Sequence, residues 1–190
     1  MVFIFEGQDR TGKSTQIDFL KGFLSYKKFL VLHFSQVKSL LNNIELYEDY
    51  SKSLYKEGFK FLKRNYISFD LILDRFHLGE SVYSPIYRKY SGDYVFDLEK
   101  KYLNEDMQNF IYLLVFIDSK EDNLIKREDG LSIVDENGNR FLYKEKNLFI
   151  ESYEKSLIKN KILIDISKYD NEKLISEQIV NFISKIWSNT

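Results

Sequence analysis

Eight consecutive residues, Phe110–Ile117, are apolar or aromatic, and this run sets the strongest limit on the fold. A strand without alternating polar residues is buried on both faces, which is typical of the interior of a parallel sheet covered by helices on either side. Segments of helical spacing separate it from four other strand-like runs, which are Val2–Phe5, Phe29–Phe34, Phe69–Asp74 and Ile162–Ile166. The sequence therefore predicts an α/β fold with a five-stranded parallel sheet and helices on both faces.

The segments between the strands predict helices and loops. Residues 37–66 have helical spacing and predict one or two amphipathic helices, with Gly58 as the only helix breaker. Pro85 and Gly92 are expected to mark loops between the third and fourth strands. The charged stretch at about 121–146 contains a polar turn and predicts a short mobile lid. A length of 190 residues with 44% apolar or aromatic composition favours a single domain over residues 1–190.

Residues Gly7–Ser14 fit the pattern G-x-x-x-x-G-K-[ST] and lie between the first predicted strand and a predicted helix. The glycines let successive backbone N–H groups point at phosphate oxygens, and the start of the helix adds a partial positive charge. Lys13 can reach the terminal phosphates, and Ser14 can hold Mg²⁺. The alternative is a turn that matches the pattern by chance, which the flanking strand and helix disfavour. The motif predicts a P-loop NTPase fold that binds ATP through Gly7, Gln8, Asp9, Arg10, Thr11, Gly12, Lys13, Ser14 and Thr15.

Arginine is scarce in this chain, with 6 arginines against 22 lysines, and alanine is absent. Such composition is typical of an AT-rich genome, so each arginine is a candidate for a task that needs a planar fork of donors. Arg10 lies inside the loop, where a guanidinium can neutralise charge on a transferring phosphate. The alternative for Arg10 is a solvent-facing loop residue. No Asn-Lys-x-Asp motif follows the fourth strand, which sets GTPases aside.

Two segments resemble the thymidylate kinase (dTMP kinase) family, of the type that carries its catalytic arginine in the P-loop. Phe5–Gln16 is similar to the family's phosphate loop, and Leu71–Phe76 is similar to its Asp-Arg-aromatic signature at the end of the third strand. Weaker similarities lie at Arg140-Phe141 after the lid and at Ile164–Ser167 in the last strand. The resemblance covers the chain nearly from end to end.

The resemblance also implies roles for individual residues. The implied catalytic residues are Lys13, Arg10, Arg75 and Asp9. Arg75 would grip the phosphate of the acceptor, and Asp9 would accept a hydrogen bond from the sugar 3′-hydroxyl. Ser14 and Asp74 would position Mg²⁺, since Asp74 ends a strand beside the P-loop. The other implied contacts are Lys38, Tyr50, Phe76 and Tyr83 for the acceptor, and Arg127 and Arg140 for ATP. An ion pair that only caps a strand, and aromatic side chains that only fill the core, are the alternatives.

The base of the acceptor is where this chain departs from the family. The thymine-reading arginine of the family falls at Leu54, four residues after the aromatic Tyr50. The implied reaction moves the γ-phosphate of ATP to a pyrimidine deoxynucleoside monophosphate, with dTMP as first choice and dUMP or a modified pyrimidine of a phage-type enzyme still open. A deoxynucleoside kinase is an alternative, although that family places a Glu after the second strand, where this chain has Ser35. A catalytically silent nucleotide-binding module is the other alternative.

The charge balance disfavours several classes of partner. With 28 Lys and Arg against 29 Asp and Glu, the net charge of −1 gives no general attraction to nucleic acid or anionic membranes. The lack of cysteine excludes disulfides, thiolate nucleophiles and Cys-ligated metals. No apolar run reaches the ~18 residues of a membrane span, and no signal peptide is recognisable. We expect a cytoplasmic protein that binds small-molecule nucleotides, uses ATP and Mg²⁺ and, from the resemblance, forms a homodimer.

Overall fold

The computed structural model describes residues 1–34, 43–128, 130, 132–135 and 137–188. The strands of this part are β1 (Val2–Gly7), β2 (Phe29–His33), β3 (Asp70–Asp74), β4 (Ile111–Ile117) and β5 (Asn160–Asp165). They form one parallel sheet of five strands in the order β2-β3-β1-β4-β5. Because β4 lies between β1 and β5 under helices on both faces, all seven of its residues are buried. The predicted α/β fold is confirmed.

Helices connect successive strands, and one more helix follows β5. They are α1 (Lys13–Phe23), α2 (Ile44–Asn65), α3 (His77–Tyr83), α4 (Tyr94–Tyr102), α5 (Glu105–Gln108), α6 (Glu121–Lys126), α7 (Leu142–Lys155) and α8 (Glu172–Trp187). Asn43 and Asn171 begin α2 and α8, since their side chains accept hydrogen bonds from the N–H groups of Leu46 and Leu174 at 3.1 and 3.2 Å. None of the described helices is long and apolar enough to cross a membrane.

Alternate residues of the sheet point into two different cores. Phe3 and Phe5 pack on one face with apolar residues of α1 and α8. Val2 and Ile4 pack on the opposite face with residues of α2, α3 and α7. This alternation follows from the two-residue period of a strand. Because all five strands are parallel, their carboxyl ends meet at one edge of the sheet, where the P-loop motif lies.

Two expectations about chain breakers are wrong. Gly58 does not interrupt α2, which continues through it from Ile44 to Asn65. The glycine faces two aromatic rings. A Cβ at Gly58 would stand 2.8 Å from the Phe76 ring and 3.1 Å from the Phe34 ring, so the glycine allows close packing. Pro85 does not mark a loop, because it occupies the first turn of the π-helical segment Ser84–Arg88, where a missing N–H is tolerated. Gly92 does lie in the loop before α4.

Candidate active site

The phosphate-binding motif forms the loop between β1 and α1. Gly7 has φ 128°, and a Cβ there would lie 2.0 Å from the Phe116 carbonyl oxygen, so only glycine lets the loop leave the sheet here. Gly12 has φ 77° at the start of α1. The Lys13 ammonium folds back across the loop and donates to the carbonyl oxygens of Gln8 at 2.6 Å and Gly7 at 3.0 Å. Burial and the nearby Arg75 guanidinium lower the pKa of Lys13 to about 8. The loop therefore holds one shielded cation at its centre.

The side chain of Gln8 fixes the loop to the rest of the fold. Its Nε2 donates to the Leu142 carbonyl oxygen at 3.0 Å, and its Oε1 accepts from the Asp118 N–H at 3.1 Å. Gln8 is fully buried. Its side chain thus joins the loop to the start of α7 and to the end of β4, a structural contact that the motif does not predict.

Asp9 and Arg75 form an ion pair beside the loop. Arg75 Nη2 lies 2.7 Å from Asp9 Oδ1, and the Asp9 side chain is only 6% exposed. Burial alone would lower the pKa of Arg75, but the acidic groups around it, with Asp9 the strongest, together leave that pKa raised. The Tyr83 hydroxyl is buried with no hydrogen-bond partner among the described residues. Burial and the Asp9 charge raise the pKa of Tyr83 well above its usual value. The structure thus brings together three residues predicted to contact the acceptor.

Glu6 fixes the backbone that follows Arg75, although the sequence analysis did not single it out. Its buried carboxylate accepts hydrogen bonds from the N–H groups of Phe76 at 3.0 Å, Leu78 at 2.8 Å and Gly79 at 3.2 Å. Burial raises the pKa of Glu6. These bonds tie the end of β1 to the start of α3. The only sequence signal is a carboxylate directly before the first glycine of the motif.

A cavity of about 170 Å³ opens next to Arg75, and we call it the Arg75 cavity. The predicted acceptor residues Tyr50, Phe76 and Tyr83 line it together with Arg75. Leu54 also lines it, so the position where the family has an arginine presents an apolar surface. Lys38, the other predicted acceptor contact, lies outside the described residues.

A larger cavity of about 620 Å³ lies on the other side of the loop, and we call it the Arg127 cavity. Thr11 and Gly12 of the loop line it, as do Arg127 and the aromatic Tyr169 from beyond β5. Arg127 also donates from Nη1 to the Arg10 carbonyl oxygen at 3.3 Å. The P-loop therefore has a cavity on each side.

The remaining predicted arginines contact carboxylates. Arg10, with a left-handed φ of 69°, has its Nη2 3.9 Å from Glu128 Oε1. Arg140 donates to Glu128 at 2.8 Å and to Glu145 at 3.2 Å, and it lines neither cavity. Desolvation alone would raise the pKa of Glu128. Hydrogen bonds from Ser132 and Arg140 act in the opposite direction, and the pKa is lowered to about 2. Glu128 therefore lies between two cations that the sequence assigns to phosphate.

Ser14 and Asp74 were predicted to hold Mg²⁺. Ser14 is exposed at the start of α1, and Asp74 ends β3 opposite Phe5 of β1. His33 Nδ1 lies 2.9 Å from Asp74 Oδ2. The described residues contain no group of three or more His, Cys, Asp or Glu side chains that could hold a metal by themselves. One hydroxyl and one carboxylate fit Mg²⁺ of the kind that takes its other ligands from substrate phosphates and water.

Comparisons with known proteins rest on the fold. No protein-family model matches the chain, and no curated protein matches its sequence. The chain is similar to the Bacillus subtilis YorR protein, solved in complex with phosphorylated GDP, with TM-score 0.64, 17% identity and coverage of 100% and 99% of the two chains. It is also similar to the thymidylate kinase of Ehrlichia chaffeensis, with TM-score 0.57, 13% identity and coverage of 96% and 98%. It is similar as well to the thymidylate kinase of Candida albicans, with TM-score 0.57, 15% identity and coverage of 97% of this chain and 91% of that one.

These likenesses extend over almost the whole chain at low identity. The protein therefore has a thymidylate kinase-like P-loop fold. The resemblance found in the sequence is confirmed at the level of the fold.

Proposed function

We propose that the protein transfers the γ-phosphoryl group of ATP to the 5′-phosphate of a pyrimidine deoxynucleoside monophosphate, dTMP in the first place, giving dTDP and ADP. The observation that carries this proposal is that the P-loop lies between two cavities. Gly7 borders the Arg75 cavity, and Thr11 and Gly12 border the Arg127 cavity. A hydrolase needs a site for one nucleotide, whereas a transferase needs a second site on the far side of the transferred group.

ATP is assigned to the Arg127 cavity. Its phosphates would lie along the N–H groups of the loop, and Lys13 would move from the carbonyl oxygens of Gly7 and Gln8 to phosphate oxygens. Mg²⁺, held by Ser14 and Asp74, would supply neutralising charge on the phosphates. Arg10 would add a guanidinium to the transferring group, where negative charge is spread over three oxygens.

The monophosphate is assigned to the Arg75 cavity. The Arg75 fork suits a phosphate dianion, and the buried Asp9 holds this fork at the edge of the loop. Asp9 also offers an acceptor for a sugar hydroxyl. A phosphate oxygen is already ionised at neutral pH, so it attacks without a general base. This distinguishes the proposed reaction from that of a deoxynucleoside kinase, whose acceptor hydroxyl must lose a proton.

An ADP-release assay with ATP, Mg²⁺ and a panel of dTMP, dUMP and thymidine tests this proposal. We expect turnover with a monophosphate and none with thymidine. Arg75→Met should lower kcat/KM for the monophosphate by about 100-fold, because a bidentate phosphate contact is lost. Arg64→Met is the matched control, since Arg64 is exposed on α2. Turnover of thymidine alone would indicate a nucleoside kinase, and no turnover with tight ATP binding would indicate a nucleotide-binding module.

A further inference from the structure

The wall of the Arg75 cavity contains a second arginine, Arg88, that no motif accounts for. It ends the π-helical segment Ser84–Arg88 and is only 9% exposed. Its guanidinium lies over the Tyr47 ring, 4.9 Å from the ring centroid, and Ser51 lines the same wall. Arg75 and Arg88 therefore both line this cavity, and the phosphate of a bound nucleotide needs only one of the two arginines.

Glu80 holds Arg88 from one side. Arg88 Nη1 donates to Glu80 Oε2 at 2.5 Å and to Ser84 Oγ at 3.3 Å. The Glu80 carboxylate is almost fully buried and also accepts from the hydroxyl groups of Tyr90 at 2.6 Å and Tyr94 at 3.0 Å. These bonds and the Tyr47 ring leave the guanidinium little freedom to turn.

The opposite edge of the guanidinium meets no acceptor from the part of the chain that the structure describes. Arg88 Nε is buried without a hydrogen-bond partner among the described residues, and none of these residues accepts from Nη2. The Nε–H and Nη2–H bonds of a guanidinium point in the same direction. A buried Nε–H without an acceptor costs free energy, and a ligand acceptor placed at this edge of the guanidinium would recover it.

We propose that Arg88 recognises the base of the acceptor and selects bases that present a carbonyl oxygen over those that present an amino group. This inference rests on the proposed function, because it assumes that the Arg75 cavity holds a nucleotide. Thymine and uracil offer an O4 acceptor to a guanidinium edge, whereas cytosine offers an N4 donor there. The ring faces would contact the apolar wall that includes Phe34 and Leu54. Arg88, in the segment after α3, thus recognises the base, a task for which the apolar Leu54 on α2 has no polar group.

The comparison of dUMP with dCMP tests this inference, because the two nucleotides differ only at the pyrimidine edge. We expect wild-type kcat/KM to favour dUMP by about 10- to 100-fold. In Arg88→Met the ratio of kcat/KM for dUMP to kcat/KM for dCMP should fall to near unity, because only the value for dUMP decreases. Arg88→Lys should recover part of it, since one donor returns without the fork. Arg64→Met is the control: Arg64 is exposed on α2 and lines neither cavity, so this variant should leave the preference unchanged.

Arg88→Met leaves Glu80 buried without its cation and can destabilise the fold. The comparison of dUMP with dCMP on the wild-type protein is therefore made first, since it needs no variant. Equal kcat/KM for dUMP and dCMP, or equal losses for both in Arg88→Met, would overturn the inference while leaving the proposed function intact. Turnover of dGMP alone would keep selection of a carbonyl and overturn the pyrimidine assignment. If no monophosphate is turned over, the proposed function fails. The inference is then decided by how much dUMP and dCMP each raise the Tm of the wild-type protein. A larger shift with dUMP supports it, and equal or absent shifts contradict it.

Discussion

The P-loop and the Arg75 cavity are built in opposite ways. The loop is one contiguous segment, Gly7–Thr15, whose shape depends on the positive φ angles of Gly7 and Gly12. The cavity is assembled from side chains of α2, α3 and the π-helical segment, which only tertiary packing brings together. Under the proposed function, phosphate handling would be encoded locally, whereas the choice of acceptor would be encoded in distant contacts. Such a fold can change its acceptor without changing its phosphate chemistry.

The cations of the two regions also have different partners. Lys13 donates to backbone carbonyl oxygens, so incoming phosphates need only replace neutral acceptors. Arg75 and Arg88 are each paired with a buried carboxylate, Asp9 and Glu80 respectively. A buried ion pair fixes the direction of a guanidinium, which matters more for selecting a ligand than for attracting it. Substitutions in the loop and in the cavity should therefore change different quantities.

Arg10→Ala should lower kcat by about 10³-fold and change the Kd of ATP much less, because an arginine on the transferring group acts mainly in the transition state. Steady-state kinetics and equilibrium titration with a nonhydrolysable ATP analogue give the two quantities. Arg64→Ala serves as the exposed control on α2. Equal losses of kcat and of ATP affinity would show that Arg10 only binds the nucleotide.

ATP binding should weaken as pH rises above about 8. The pKa of Lys13 in the free protein is about 8, and the loop needs the charged form to bind phosphate. The Kd should therefore be about tenfold higher at pH 9 than well below pH 8. The sign for folding is the reverse: between about pH 8 and the ordinary lysine pKa, the unfolded chain keeps a proton that the folded chain has released, so this group adds stability as pH rises.

Titration of the ATP analogue between pH 7 and 9.5 measures this effect. Lys13→Met should bind more weakly at every pH and lose the pH dependence. An unchanged pH dependence in this variant would assign it to another group.

Gly58→Ala should disturb the acceptor side alone. The added Cβ would press on the rings of Phe76 and Phe34, which both line the Arg75 cavity. We expect the KM of the monophosphate to rise about fivefold, since overpacking moves the rings, while the KM of ATP stays unchanged. Gly22→Ala is the matched control, because a Cβ on this α1 glycine meets nothing within 4 Å. A parallel rise in both KM values would mean that the cavity and the loop are not independent.

The same contrast explains how far the sequence could predict this molecule. The strands and the P-loop were predictable because each is a contiguous pattern whose meaning depends on neighbours in the chain. Gly58 was misinterpreted because a glycine that breaks a helix and one that admits an aromatic ring look alike until Phe76 is placed beside it. The role of Glu80 had no local signal, and that of Glu6 had only its place before Gly7, since the partners of both lie on other turns or elements.

Glu128→Gln should have the smallest effect and the opposite sign. With a pKa of about 2, Glu128 is ionised at any working pH, and it pairs with Arg10 and Arg140, so under the proposed function it would compete with phosphate for Arg10. Removing its charge should lower the KM of ATP about threefold, the size expected for a partly exposed ion pair, and leave the KM of the monophosphate unchanged. Asp122→Asn makes the same charge change on exposed α6 and controls for general electrostatics. A higher KM of ATP in Glu128→Gln would instead mean that this carboxylate holds the two arginines in the positions that the nucleotide needs. The donor side would then depend on ion pairs as much as the acceptor side does.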